Sequence, residues 1–176
     1  MLTLKCTKKA QDFIGLDKND LDATEKEMDQ SVMGGWYVNV FLVDRRKCLI
    51  FMNERSLVSF IIFGARKDNS KKDSIPELFL RGIVQLLVLE DFPPAHINRL
   101  VEDCVDYRFA KTDSRKVLGN LNDLVATYEH MIWYEGGLKH CNLDEILYRV
   151  NRTPQRNLNW GYSIDMAREL LSANAT

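Results

Sequence analysis

Between residues 36 and 63 the chain is apolar almost without pause, and its interruptions are short and turn-forming. Trp36–Val43 is built of aromatic and β-branched residues, which suit a pleated, packed surface. Asp44, Arg45 and Arg46 can turn the chain, and residues 48–52 return as a second strand. Residues 53–56 turn it again before a third strand at 57–63. Connections this short join antiparallel neighbours, so the pattern predicts a three-stranded meander. Strands that are apolar on both alternating sets need cover on both faces, and helices must supply at least one cover.

Elsewhere the apolar positions recur at helical spacing. Residues 1–5 alternate as a short strand, and Thr7 then caps a helix that stops before Gly15. Pro76, after Ser74 as a cap, opens a helix to Glu90 with Leu78, Phe79, Ile83, Leu86 and Leu87 on its apolar side. Pro93 and Pro94 break it, and a further helix covers 95–104. Val105, Tyr107 and Phe109 alternate with polar residues and predict a strand over 105–110, with Tyr107 and Phe109 in the core. Val117, Leu121, Leu124, Tyr128 and Met131 or Ile132 then mark the longest helix, ending near Tyr134. Asn142 caps a helix to Val150, which the segment before Pro154 ends. Trp160 and Tyr162 are expected to anchor the next turn by packing, and Ser163 starts a last helix over 164–172. Residues 17–30 read as an acidic loop with one helical turn near 25–28, and 64–74 as an exposed loop. The expected fold class is α+β: an antiparallel or mixed sheet of about five strands covered by helices. One globular domain is expected over 1–176, with 17–35 and 64–74 as loop segments.

Composition narrows the chemistry. A chain of 176 residues with 45% hydrophobic content can bury one substantial core. Its 24 basic and 25 acidic residues leave a formal net charge of −1, so there is no global basic field of the kind that holds nucleic acid. Local basic pieces remain at 5–9, 45–47, 108–116 and 149–156, and the fold decides whether they converge. Cys6, Cys48, Cys104 and Cys141 form no C-x-x-C pair, and no signal segment is recognisable, so reduced cytoplasmic thiols are expected. His96, His130 and His140 show no metal-ligand spacing, and no cofactor fingerprint is present, so neither a metal nor a cofactor is expected. No uncharged apolar run reaches the ~18 residues of a membrane span.

The turn at 111–116 concentrates hydroxyls and cations just before the longest helix. Thr112, Asp113 and Ser114 can each cap it, and its unpaired N–H groups and dipole favour an anion beside Arg115 and Lys116. The same residues also read as a plain capped helix with solvated cations. Gly119 reads as a position kept small where that helix packs on the sheet. Similar polar turns hold Thr7 and Lys8, Asn53, and Asn151 and Arg152. With Thr112, Ser114, Arg115, Asn122 and Asp123 these are the candidate ligand-binding positions. The leading expectation is an intracellular domain that binds an anionic ligand, phosphate-containing or nucleic acid. A hydrolase or nuclease-like enzyme is the alternative, with Thr112, Ser114 or Asp123 acting near Arg115 and Lys8, although no His–acid or paired-carboxylate signature requires it. Cys6, beside Lys5 and Lys8 at a helix entrance, would be reactive if its thiol pKa were lowered and inert if buried. A third expectation is a non-catalytic protein-interaction or regulatory module that uses residues 17–29 and 64–74 as contact surfaces.

Six stretches together resemble a family. They are Leu4-Lys5-Cys6-Thr7-Lys8-Lys9, Trp36-Tyr37-Val38-Asn39, residues 46–54, residues 111–119, Asn122-Asp123-Leu124 and Asn151-Arg152-Thr153-Pro154. Spread over nearly the whole chain, they resemble an uncharacterised family of small bacterial and archaeal proteins, a domain of unknown function. The resemblance implies an intracellular prokaryotic protein and supplies no activity, substrate or cofactor.

Overall fold

A computed structural model describes residues 1–22, 31–65 and 71–173 of the protein. Its strands are β1 (Leu2–Cys6), β2 (Leu21–Asp22), β3 (Trp36–Val43), β4 (Arg46–Asn53), β5 (Ser59–Phe63) and β6 (Tyr107–Lys111). Its helices are α1 (Lys8–Ile14), α2 (Ile75–Leu89), α3 (Pro94–Asp103), α4 (Arg115–Tyr134), α5 (Leu143–Val150) and α6 (Ser163–Ala173). The fold is α+β, with one mixed sheet in the order β2-β6-β1-β3-β4-β5. The meander β3-β4-β5 is antiparallel, whereas β1 runs parallel to both β3 and β6. Val43 faces Arg46 across a two-residue turn, and Asp44 and Arg45 adopt φ of 49° and 62°. Positive φ at both positions matches the right-handed twist of the strands they join.

Alternation along the meander sorts its side chains between two covered faces. On one, Trp36, Phe51 and Phe60 meet Phe79 of α2, with ring centroids 4.9 Å apart for Trp36–Phe79 and 5.1 Å for Phe51–Phe60. Gly82 permits that approach, because a Cβ there would stand 2.3 Å from the Phe60 ring. On the other face lie Tyr37, Met52 and Ser59, and the Tyr128 hydroxyl of α4 donates to the Ser59 carbonyl at 3.2 Å. No helix among the described residues is long and apolar enough to cross a membrane, and all four cysteines are free.

Several expectations need correction. The loop expected at 17–30 contains β2, which pairs with β6 at Phe109 and Ala110; the helical turn expected at 25–28 lies outside the described residues. The strand expected over 105–110 begins at Tyr107, and Val105 and Tyr107 are exposed. β2 pairs with β6 only at Phe109 and Ala110, so among the described residues no strand pairs with the start of β6 on its outer side. Trp160 and Tyr162 are exposed rather than packed. Their turn is set by the backbone, through the Gln155–Gly161 bridge and left-handed φ at Asn159 and Trp160. Gly119 is exposed, and a Cβ there would meet nothing within 4 Å, so sheet packing does not demand it. Of the loop expected at 64–74, residues 66–70 lie outside the described residues, and Lys72–Ser74 is a short 3-10 turn leading into α2.

Candidate functional site

Strand β1 stops at Cys6 because Thr7 turns the chain into α1. The Thr7 N–H donates to the Val38 carbonyl at 3.0 Å, and Thr7 Oγ1 accepts the Ala10 N–H at 3.2 Å as the helix cap. Neighbouring β6 pairs with β1 only as far as Cys6 and Lys111, while β3 continues to Val43. The far half of β3 therefore lacks a strand on that side among the described residues. The tight turn makes Val43 and Arg46 a hydrogen-bonded pair, so odd-numbered residues of β3 bond β4 and even-numbered ones point to the free edge. The Val38 carbonyl is taken by Thr7, and the Val40 N–H by the Asn39 side-chain oxygen at 2.9 Å. The Val40 carbonyl and both backbone groups of Leu42 find no partner among the described residues.

Helices α1 and α4 flank this edge and enclose a cleft of about 640 Å³. Its walls are Lys9, Asp12 and Phe13 of α1, residues 39–42 of β3, Lys47 of β4, and Asn122, Val125 and Glu129 of α4. The Lys47 ammonium stands 4.7 Å from the Phe13 ring centroid, and Asp12 is paired with Lys8 at 2.8 Å. Among the described residues, Lys9, Lys47 and Glu129 have no ion-pair partner. Asn39 is buried, with 8% of its surface exposed. Its Oδ1 accepts from the Thr7 hydroxyl at 2.7 Å as well as from Val40, which leaves its amide NH2 without a partner among the described residues. The walls contain no serine, threonine, cysteine or histidine, so they offer charges, amides and apolar surface rather than a nucleophile with a base.

A second polar cluster lies where β1, β3, β4 and the start of α4 meet. Lys5 Nζ lies 2.6 Å from Glu54 Oε2 and 2.8 Å from Asp113 Oδ2. The Tyr37 hydroxyl donates to Asp113 Oδ1 and accepts the Ser114 N–H at 3.0 Å. Burial would lower the Lys5 pKa, but its hydrogen bonds to Asp113 and Glu54 outweigh that and raise it. Burial would raise Asp113, and the Lys5 and Tyr37 hydrogen bonds instead hold it below its usual value. The Tyr37 phenol is pushed up to about 12, by burial and then by its bond to Asp113. Two carboxylates thus engage the one ammonium, and Asp113 already sets a negative charge against the positive end of α4.

The sequence-predicted positions scatter over the fold. Thr7 and Asn122 come to the cleft, Thr7 by orienting Asn39 and Asn122 as part of the wall. Lys8 is exposed on its pair with Asp12, and Asp123 is exposed on α4. Asn53 is fully buried; its amide donates to the Met33 and Gly35 carbonyls while its oxygen accepts from Arg55, Ser56 and the Ser56 hydroxyl. Ser114 caps α4 by accepting the Val117 N–H, Thr112 is half-buried beside it, and Arg115 is exposed. At the far edge of the sheet, the Asn151 amide accepts the Ser59 N–H at 2.8 Å and donates to the Ser59 carbonyl at 2.9 Å. Arg152 grips buried Glu90, with Nη1 2.7 Å from Oε1 and Nη2 2.6 Å from Oε2. Cys6 is buried, and burial pushes its thiol up to about 12, so of its two readings the inert one holds. Sequence reasoning missed Lys9, Asn39 and Lys47. The signal lay in the resemblance stretches: four of the six contribute a wall residue, namely Lys9, Asn39, Lys47 and Asn122.

A family model described as a domain of unknown function, DUF6933, matches residues 3–166. The chain belongs to that family. No curated protein matches the sequence.

Proposed function

We propose that this member of the DUF6933 family is a binding domain, and that the cleft between α1 and α4 holds an anionic ligand with an apolar portion. The observation that carries this reading is one cleft lined by two ammoniums without an ion-pair partner among the described residues, Lys9 and Lys47, and by buried Asn39, whose amide NH2 is left over. A charge-assisted hydrogen bond from such a group contributes about 1.5–3 kcal/mol, so losing one cation should weaken binding by roughly ten- to a hundredfold. Phe13, Phe41 and Val125 add apolar wall for the uncharged part of the ligand. The turn before α4 supports the reading less, because Asp113 and Glu54 already engage the nearby Lys5 ammonium.

Nuclear magnetic resonance titration with inorganic phosphate, a nucleoside monophosphate and a short dicarboxylate tests this. The side-chain amides of Asn39 and Asn122 should shift with at least one of them, and Lys47→Met should weaken that response. The proposal is overturned if all three anions leave both amides unmoved, or if Lys47→Met binds as tightly as the parent chain.

A further inference from the structure

We infer that the ligand of this cleft is an extended acidic peptide segment that adds to the free edge of β3 as a strand. The inference rests on the anion-binding reading and specifies the ligand. It begins from what the cleft leaves unmet: a carbonyl at Val40, then an N–H and a carbonyl at Leu42, all in strand geometry. A fully deprotonated phosphate ester carries only acceptors, so it could meet the Leu42 N–H but neither carbonyl. A peptide backbone carries both donors and acceptors at the spacing of a strand, about 3.3 Å per residue, and can meet all three groups.

Position agrees with this chemistry. The vacant line continues that of β1 beyond Cys6, in the cleft between α1 and α4. A second copy fits poorly as the occupant, because its own β3 edge lies recessed between its own α1 and α4. Charge favours an acidic segment, since two unpaired cations, Lys9 and Lys47, face one unpaired carboxylate, Glu129, and Asp12 is neutralised by Lys8. Leu42, 59% exposed, would gain cover from the added strand.

Two end-blocked peptides serve as probes, one alternating Glu and Val and the other alternating Lys and Val. The Glu peptide should slow hydrogen exchange at the Leu42 amide by about tenfold or more, as a newly hydrogen-bonded edge amide requires. The Lys peptide should not, and N-methylation of alternate residues in the Glu peptide should abolish the effect. Leu42→Pro provides a second route, because that N–H faces the free edge and a proline there removes no ladder bond. This variant should keep its fold, read as an unchanged thermal melt, while losing the peptide. If an anion shifts Asn39 but the Glu peptide leaves Leu42 unprotected, the strand inference fails and the anion reading stands. If neither binds, both fail. Leu42 protection that grows with protein concentration in the absence of peptide would also overturn the inference, by showing a second copy on the edge.

Discussion

Replacing Lys5 by methionine removes the one cation that Glu54 and Asp113 share and leaves most of the side-chain volume in place. In the native chain the Lys5 side chain is 12% exposed, and its ammonium lies 2.6 and 2.8 Å from the two carboxylates. Breaking a fully buried pair costs about 3–5 kcal/mol, and a hydrogen bond to a charged group contributes about 1.5–3 kcal/mol. Glu54 is 18% exposed and Asp113 38%, so water recovers part of the loss. The expected destabilisation at neutral pH is about 2–4 kcal/mol, or a fall in Tm of roughly 5–15 °C for a chain of this size. The pH dependence separates this account from simple loss of packing. Asp113 is held below its usual value in the native state, so its contribution is present above its unfolded pKa of about 3.9 and is lost as pH falls through the lower folded value. Lys5 is held above its usual value, so its contribution is present below about pH 10 and is lost as pH rises through the raised value. In Lys5→Met, Asp113 keeps its burial and loses its cation, so its carboxyl should move up and its protonation should relieve the variant. The stability gap between parent and variant, measured by urea denaturation from pH 7 to pH 4, should therefore narrow on acidification. A gap below about 0.5 kcal/mol at pH 7, or one unchanged down to pH 4, would refute the reasoning.

Three further predictions rest on burial and space. Gly119→Ala should stabilise by about 0.5–1 kcal/mol in a thermal melt, because the position is exposed in a helix with nothing near the new methyl; Gly82→Ala should destabilise by about 1–3 kcal/mol, because its methyl meets the Phe60 ring. In native protein at pH 8, iodoacetamide should modify half-buried Cys141 well before fully buried Cys6, whose thiol burial pushes up to about 12; mass spectrometry of the two peptides reads the order.

Elements with strong local periodicity were legible in the sequence. The meander announced itself through continuous β-branched and aromatic runs, and Thr7, Ser114 and Asn142 cap the helices their spacing indicated. The two-residue β2 was not, because a strand that short has no periodicity and exists only where β6 offers an edge. The site was harder for a related reason. Its defining feature is where β1 stops relative to β3, a parallel pairing between distant segments that neither segment's pattern encodes. Asn39 sits inside an apolar strand and reads there as an ordinary polar interruption, until Thr7 and the Val40 N–H are seen to engage its oxygen. Asn53 shows the converse. A polar turn resembling a ligand loop is an internal knot, with every polar atom of its amide turned to the chain's own backbone and Ser56.

Asn151 has a consequence for how the molecule meets its own kind at high concentration. An outermost strand normally offers a row of donors and acceptors on which another chain can nucleate, the first step towards fibrils. On β5 the groups at Ser59, the first residue of the strand, are capped by one side-chain amide, which mimics a single residue of a neighbouring strand and then ends. A further chain laid along that flank would have to evict a buried amide that also donates to the Leu147 carbonyl. The residue after α5 thus blocks strand addition at the start of β5, while the opposite side of the meander keeps a short length of β3 open.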